Sequence, residues 1–270
     1  MQDTAPEITT RLNLAISMAK EAGQLTLKYF QKRTFEVERK SDNSPVTVAD
    51  REAEQLLRQT ISTAYPDDEI LGEEFGVRSG TSAFRWILDP IDGTKSFICG
   101  VPLYGTLVGV EFEKTPVIGV IYIPGTDEII SAAQGAGAWY TNGKEDRERA
   151  RVSSKKSLVE ATFLTSQVDS FEQRKATDVY REIEQRSYIT RTWGDCYGYL
   201  LIATGRADVM VDPIMNIWDA APLQTILQEA GGTFTDWQGT PTILSGEGIA
   251  TNGHLLEEVL AITRHSPSPS

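Results

Sequence analysis

Apolar positions in the first quarter of the chain recur at helical spacing. From Ile8 to Phe30 they fall at Ile8, Leu12, Ala15, Ala19 and Ala22, which predicts a long amphipathic helix. SDNSPVTVADREAEQLLRQTISTAY predicts a loop and then a second helix, with Thr47 as its N-cap. Beyond it the apolar residues gather into short runs punctuated by Gly, Pro and Asp. These predict strands at Glu69–Leu71, Arg85–Leu88, Thr106–Phe112, Pro116–Ile123 and Glu128–Ala133. Leu107–Phe112 and Val117–Ile123, joined through EKTP, read as an antiparallel hairpin.

Residues 134–157, QGAGAWYTNGKEDRERARVSSKKS, interrupt this pattern with glycine and charge and mark the expected subdomain boundary. After it, strands at Thr162–Thr165, Tyr188–Thr190 and Ala207–Val211 alternate with helices at Ser170–Gln185, Asp195–Thr204, Asp219–Glu229 and Leu255–Thr263. That alternation predicts an α/β second half. The expected division is an N-terminal α+β unit (1–145), a C-terminal α/β unit (146–265) and a disordered tail (266–270). Neither an internal repeat nor a heptad pattern is visible.

Composition narrows the chemistry. The 270 residues, 40% of them hydrophobic, suffice for one large domain or two closely packed halves. No apolar run approaches the ~20 residues of a membrane span. The opening MQDTAPEITT is polar and acidic, so no signal peptide is expected; the setting implied is cytoplasmic, or the plastid stroma if a transit peptide was removed. A net charge of −12 argues against nucleic acid as a partner, yet leaves room for a small anionic substrate if bound metal reverses the local field. The two cysteines, Cys99 and Cys196, read as reduced and structural. Of the two histidines, His254 opens a helix and His265 lies in the tail, so a Ser-His or Cys-His mechanism would depend on His254 alone. Carboxylates are the remaining candidates for chemistry.

They fall in four places. WILDPIDGTKSF sets Asp89 and Asp92 at the end of an apolar strand, directly before Gly93-Thr94. A type I turn accounts for Asp89-Pro90-Ile91-Asp92 by itself. An anion nest at Gly93-Thr94, with a divalent cation between the two carboxylates, accounts for it equally. Glu73 and Glu74 end the strand of EILGEEFG, where a solvated pair is the plain alternative. Asp219 stands at a helix start as an N-cap, and Asp50 matches the capping-box spacing from Thr47.

Together these motifs resemble the inositol monophosphatase family of metal-dependent, lithium-sensitive phosphatases. The resemblance rests on GEE (Gly72–Glu74), WILDPIDGT (Trp86–Thr94) and WDAAPLQTILQEAGG (Trp218–Gly232), with SDNSPVTVAD also fitting, and spans about residues 10–262. It implies a mixed α/β (α+β) fold, a layered α-β-α-β-α sandwich, with the site between two halves, and a homodimer. It further implies that Glu73, Asp89, Asp92, Asp219 and the Ile91 carbonyl ligate two or three Mg²⁺ ions. Asp92, Gly93 and Thr94 would hold the phosphate. Glu73, Thr94 and Asp50 would form the catalytic group, Thr94 with Asp50 orienting and deprotonating the attacking water. No covalent intermediate is implied. A haloacid dehalogenase mechanism wants Asp-x-Asp, and the spacing here is Asp-x-x-Asp. A binding module that had lost catalysis would usually lack one of the ligand carboxylates, and all four are present.

Family members act on inositol monophosphates, fructose bisphosphates, nucleotide 3′-phosphates or histidinol phosphate. RTWGDCYGYLLIATGRADVMVDP resembles the histidinol-phosphate phosphatase branch more than the inositol branch. The resemblance puts the substrate-facing positions at Gly194, Asp195, Cys196 and Asp212. A carboxylate at Asp195 would pair with the ammonium of histidinol phosphate, where a neutral polyol gains less; the plain alternatives are a helix N-cap for Asp195 and a turn for Asp212. Lys95 is either a partner for phosphate charge or a solvated lysine, and Trp193 and Trp218 are expected in the core.

Overall fold

The computed structural model describes residues 4–32, 37–39, 45–143 and 146–264. His265 and the expected tail lie outside the described residues, as do 41–44 of the SDNSPVTVAD stretch. The two predicted N-terminal helices are α1 (Ala5–Thr26) and α2 (Val48–Ala64), the second capped by Thr47 as expected. Between them β1 (Val37–Arg39) pairs antiparallel with β2 (Pro45–Thr47).

The apolar runs that follow form most of a large sheet. Its strands are β3 (Glu69–Gly72), β4 (Gly76–Arg78), β5 (Phe84–Asp92), β6 (Gly105–Phe112), β7 (Thr115–Ile123), β8 (Glu128–Ala133), β9 (Gly137–Thr141) and β10 (Glu148–Arg149), in the order β10-β9-β8-β7-β6-β5-β3-β4. The helix α3 (Thr94–Ile98) interrupts the chain between β5 and β6. The expected hairpin is β6–β7, and its turn is only Glu113-Lys114, both at positive φ. That is the mirror-image two-residue turn whose twist suits a hairpin.

The second half contributes a smaller sheet of β11 (Thr162–Leu164), β12 (Ile189–Arg191), β13 (Val209–Asp212), β14 (Thr233–Thr235) and β15 (Gly248–Thr251), in the order β12-β11-β13-β15-β14. Its helices are α4 (Asp169–Gln173), α5 (Thr177–Arg186), α6 (Asp195–Ala203), α7 (Ile217–Ala220), α8 (Leu223–Glu229) and α9 (Leu256–Thr263). Two helices expected as single pieces are each divided. Lys175, at φ 60°, separates α4 from α5, and Ala221-Pro222 separate α7 from α8.

Burial explains why the strands read as continuous apolar runs. Both faces of the large sheet are covered, which removes the usual polar alternation. Trp86, Leu88, Val108 and Val120 pack with Met18, Leu57 and Ile61 of α1 and α2 on one face. Ile87, Leu107 and Ile121 pack on the other, with Leu200 of α6, Ile226 of α8 and Met210 of the small sheet. A third cluster holds α5 and α9 to the outer face of the small sheet through Ile183, Val259, Phe163 and Val211. The layers are therefore α-β-α-β-α, as the family resemblance implied. Trp193 departs from its expected core position: it is 45% exposed, with the Arg191 guanidinium 5.9 Å from its ring.

Candidate metal centre

The bend that ends β5 follows from Pro90. Proline has no N–H to give the ladder, and the register with β6 shifts between Asp89 and Asp92. Asp92 then pairs with Gly105, so the segment is a strand with a bulge rather than the isolated type I turn. Ile91 N–H donates to Asp89 Oδ1 (3.0 Å), and Thr94 Oγ1 donates to the Ile91 carbonyl (3.1 Å). The chain leaves through Gly93 at φ 83°, a left-handed conformation suited to glycine, and enters α3.

Neighbouring elements bring the other carboxylates to this bend. β3 runs parallel to β5 with Gly72 opposite Leu88, and Glu73 N–H donates to the Leu88 carbonyl (3.2 Å). Glu73 thus leaves its strand beside Asp89. Asp219 arrives on α7 because two paired glycines, Gly109 and Gly119, leave room for the segment after it. A Cβ on Gly109 would lie 2.6 Å from that of Ala221, and one on Gly119 2.1 Å from the Pro222 carbonyl. The result is a cluster in which Asp89, Asp92 and Asp219 each offer an oxygen, all within 4.8 Å of one another. Glu73 lines the adjoining cavity, and its charge acts on Asp89, Asp219 and Asp50.

Asp50 takes the capping-box place read from the sequence, whereas Asp219 is not the N-cap expected of it: Asn216 caps α7 and Asp219 closes the box from the third helical position. Asp219 Oδ2 accepts from Asn216 N–H (2.7 Å). Asp50 Oδ2 accepts from Thr47 N–H (2.8 Å) and Thr47 Oγ1 (2.5 Å). Asp50 Oδ1, by contrast, is buried without a hydrogen-bond partner among the described residues. Such an atom is costly unless something else meets it.

The electrostatics carry the same signature. Burial first, and then the charges of Glu73, Asp92 and Asp219, push Asp89 well above the usual carboxylate range. Burial, followed by Asp195 and Asp219, does the same to Asp92. Burial lifts Asp219 to about 7 and Asp50 to about 6, with Glu73 adding to both. Several buried acids facing one another can relieve their repulsion by holding protons or by sharing a cation. An all-oxygen donor set with an orphaned carboxylate oxygen beside it fits a hard divalent ion such as Mg²⁺.

A cavity of about 430 Å³ opens beside the cluster, lined by Glu73, Gly93, Thr94, Lys95, Ser96, Ser166, Gln167, Ser170, Gln173, Thr192, Asp195, Asp212 and Ile214. Asp195 sits at φ 52°, so it is not the helix cap of the plain alternative; Gly194 is. Its backbone is held by Ser166 Oγ, which accepts from Asp195 N–H (2.8 Å). Asp195 also approaches the Gly93 turn, its Oδ2 lying 3.0 Å from where a Gly93 Cβ would be. Burial and Asp212 raise Asp195 to about 7, while Lys95 pulls it down. The Cys196 N–H donates to Asp92 Oδ2 (2.5 Å), whereas its thiol is buried. Gly194 packs hard on Ser166, whose Cα would lie 2.1 Å from a Gly194 Cβ.

Asp212 lines the cavity but is heavily engaged with its own chain. It accepts from Thr165 Oγ1 (3.1 Å), Ser166 N–H (2.8 Å), Ser166 Oγ (2.9 Å) and Tyr199 OH (2.8 Å). Ser166, Gln167, Ser170, Gln173 and Thr192 were not among the residues expected from sequence. A signal for two of them exists: Ser166 and Thr192 follow the carboxyl ends of the parallel strands β11 and β12, where open α/β sheets bind ligands.

The sequence pattern of the inositol monophosphatase family matches residues 7–268. A histidinol-phosphatase from Chlorobaculum parvum is 42% identical over 90% of this chain and 92% of its own. One from Mycobacterium tuberculosis is 34% identical over 92% of this chain and 96% of its own. Among solved structures, the extragenic suppressor protein suhB of Bartonella henselae superposes with a TM-score of 0.87 at 27% identity, covering 95% of this chain and 99% of that one. An IMPase of Thermotoga maritima superposes at 0.84 with 30% identity, covering 94% and 97%.

Proposed function

The chain belongs to the inositol monophosphatase family, and on that premise we propose that it is an Mg²⁺-dependent phosphomonoesterase that converts L-histidinol phosphate to L-histidinol and phosphate. The observation that carries the chemistry is the convergence of Asp89, Asp92 and Asp219 beside the Gly93-Thr94 helix start. In this reading those three carboxylates, with Glu73 and the Ile91 carbonyl, hold two or three Mg²⁺ ions. When bound, the metal supplies positive charge that acidifies a water and stabilises a leaving alkoxide.

The chain's own groups do the rest. The N–H groups at the start of α3 lack intrahelical acceptors and are available to the phosphate oxygens. Thr94 Oγ1 donates to the Ile91 carbonyl, which leaves its lone pairs to orient the attacking water. Asp50 Oδ1, on a carboxyl near 6, takes up that water's proton at neutral pH. Asp195 meets the substrate ammonium; with its carboxyl near 7, an arriving cation restores the ionised form. Histidine synthesis is the setting this reaction implies, and the homodimer is proposed on family resemblance.

One observation favours a second reading. Ser166, Gln167, Ser170, Gln173 and Thr192 give the cavity a wall of neutral hydroxyls and amides, which suits a polyol such as myo-inositol 1-phosphate. Asp195→Asn separates the two. The substitution should lower kcat/KM for L-histidinol phosphate at least tenfold relative to that for myo-inositol 1-phosphate. An unchanged ratio would remove Asp195 as the cation-reading group.

A further inference from the structure

The turn that carries Glu73 is held by two side chains, Glu54 and Arg58, from the helix that carries Asp50. Asp50, Glu54 and Arg58 fall at successive turns on one face of α2. Glu54 is fully buried. Its Oε2 accepts from the Glu74 N–H (2.7 Å) and its Oε1 from the Phe75 N–H (3.2 Å). Arg58 Nε donates to Glu54 Oε1 (2.6 Å), and Arg58 Nη2 donates to the Gly76 carbonyl. Both sides of the β3–β4 turn, donors at 74 and 75 and the acceptor at 76, are thereby pinned to α2.

The packing leaves no slack in this arrangement. A Cβ on Gly72 would lie 2.0 Å from Glu54 Oε1, so the strand backbone rests directly against the carboxylate. Glu73 sits between that contact and the Glu74 N–H. Its backbone is fixed on the remaining side by the Leu88 carbonyl of β5. Turn residues would otherwise be among the most mobile in the domain.

We infer that Glu54, backed by Arg58, is a positioning residue that sets the Glu73 carboxylate against the Asp89, Asp92 and Asp219 cluster and fixes its separation from Asp50. The inference rests on the proposed metal-dependent function and adds to it a residue that touches neither metal nor substrate. A carboxylate accepting two backbone N–H groups while paired to an arginine is a rigid anchor. Groups that orient metal ligands from behind typically alter affinity by roughly 10–100-fold when removed.

The test compares Glu54→Gln with Asp68→Asn, using calorimetric titration of the metal-free protein with Mg²⁺ and Mn²⁺ alone. Asp68 is a buried, arginine-paired carboxylate at the opposite end of the same strands, so its substitution reports a structural loss of similar kind. Glu54→Gln should weaken metal binding by about tenfold or more, and raise the Mg²⁺ concentration needed for half-maximal phosphate release in proportion. Glu54→Asp should recover part of the affinity. Asp68→Asn should lower thermal stability while leaving metal affinity within about twofold of the parent. Parent-like affinity in Glu54→Gln, or equal weakening in Asp68→Asn, overturns the inference while leaving the proposed function standing. A parent protein that takes up neither metal overturns both.

Discussion

Asp92 concentrates the chemistry of a single residue. One oxygen accepts the N–H of Cys196 in the first turn of α6, and the side chain also belongs to the three-carboxylate cluster. Asn at this position keeps an acceptor for the N–H and removes the charge. Asp92→Asn should therefore lower kcat by about a thousandfold, roughly 4 kcal/mol of transition-state stabilisation. Thermal unfolding of the metal-free variant should stay at or above that of the parent, since one buried acid that must either repel its neighbours or hold a proton is gone. Near-parental turnover would remove Asp92 from the metal set. At this scale the sequence was most informative where motif and backbone restriction coincide, as in Asp-Pro-Ile-Asp-Gly-Thr. It was least informative for Ser166 and Gln173, ordinary polar residues that become cavity walls only through strand order.

Elements owe their placement to buried polar anchors as much as to apolar faces. Asp68 accepts from Arg11 Nε (2.9 Å) and Nη2 (3.1 Å), Ser82 Oγ (2.6 Å) and Trp86 Nε1 (2.8 Å), which ties α1 to β3 and β5. The Arg11 guanidinium stacks 3.7 Å from the Phe84 ring and 4.0 Å from that of Tyr65. Burial alone would raise the Asp68 carboxyl, but these donors hold it below its ordinary value. Asp68→Asn leaves the arginine buried and unpaired, and should cost about 3 kcal/mol in urea unfolding. A loss below about 1 kcal/mol would mean that water replaces the pair. The helix boundaries that sequence reading missed have the same origin. Phe171 and Ala176 both turn inward, Phe171 to meet Tyr180 (5.4 Å) and Trp237 (5.8 Å), and Lys175 takes up the break at positive φ. Helical spacing runs through that break, because tertiary packing rather than local propensity creates it. The Thr47 cap was legible because a cap residue marks it locally, and the hairpin because two apolar runs flank a short polar break; its Glu113-Lys114 turn carries no residue type that marks positive φ.

For the whole molecule, the acidic cluster couples metal to stability through pH. Asp195 and Asp219 rise to about 7 and Asp50 to about 6 in the folded chain, against 3.8 for an unperturbed aspartate. Between roughly pH 4 and 7 the folded state therefore holds protons that the unfolded state has released. Stability of the metal-free protein must fall as pH rises through that window. Asp68 has the opposite sign, and its effect is confined to more acidic solution. A metal that replaces those protons reverses the loss. The difference in Tm between Mg²⁺-loaded and chelator-treated protein should be small at pH 5 and grow toward pH 7.5. A difference independent of pH would contradict the linkage. The layered architecture was legible through the resemblance; that the apolar runs are buried on both faces emerged from the structure. The site's position followed from a longer chain of causes, in which Gly109 and Gly119 admit the segment after Asp219 to the sheet that carries Asp89 and Asp92.

The proposed reaction is Mg²⁺-dependent hydrolysis, at this cluster, of a phosphate monoester that also carries an ammonium group. The most direct measurement is phosphate release at pH 7.5, with and without Mg²⁺, from L-histidinol phosphate, myo-inositol 1-phosphate and fructose 1,6-bisphosphate in parallel. Release should depend on Mg²⁺, with kcat/KM for L-histidinol phosphate exceeding that for either other ester by at least tenfold. Equal or faster turnover of inositol phosphate would contradict the substrate assignment, and release unaffected by Mg²⁺ removal would contradict the metal centre itself.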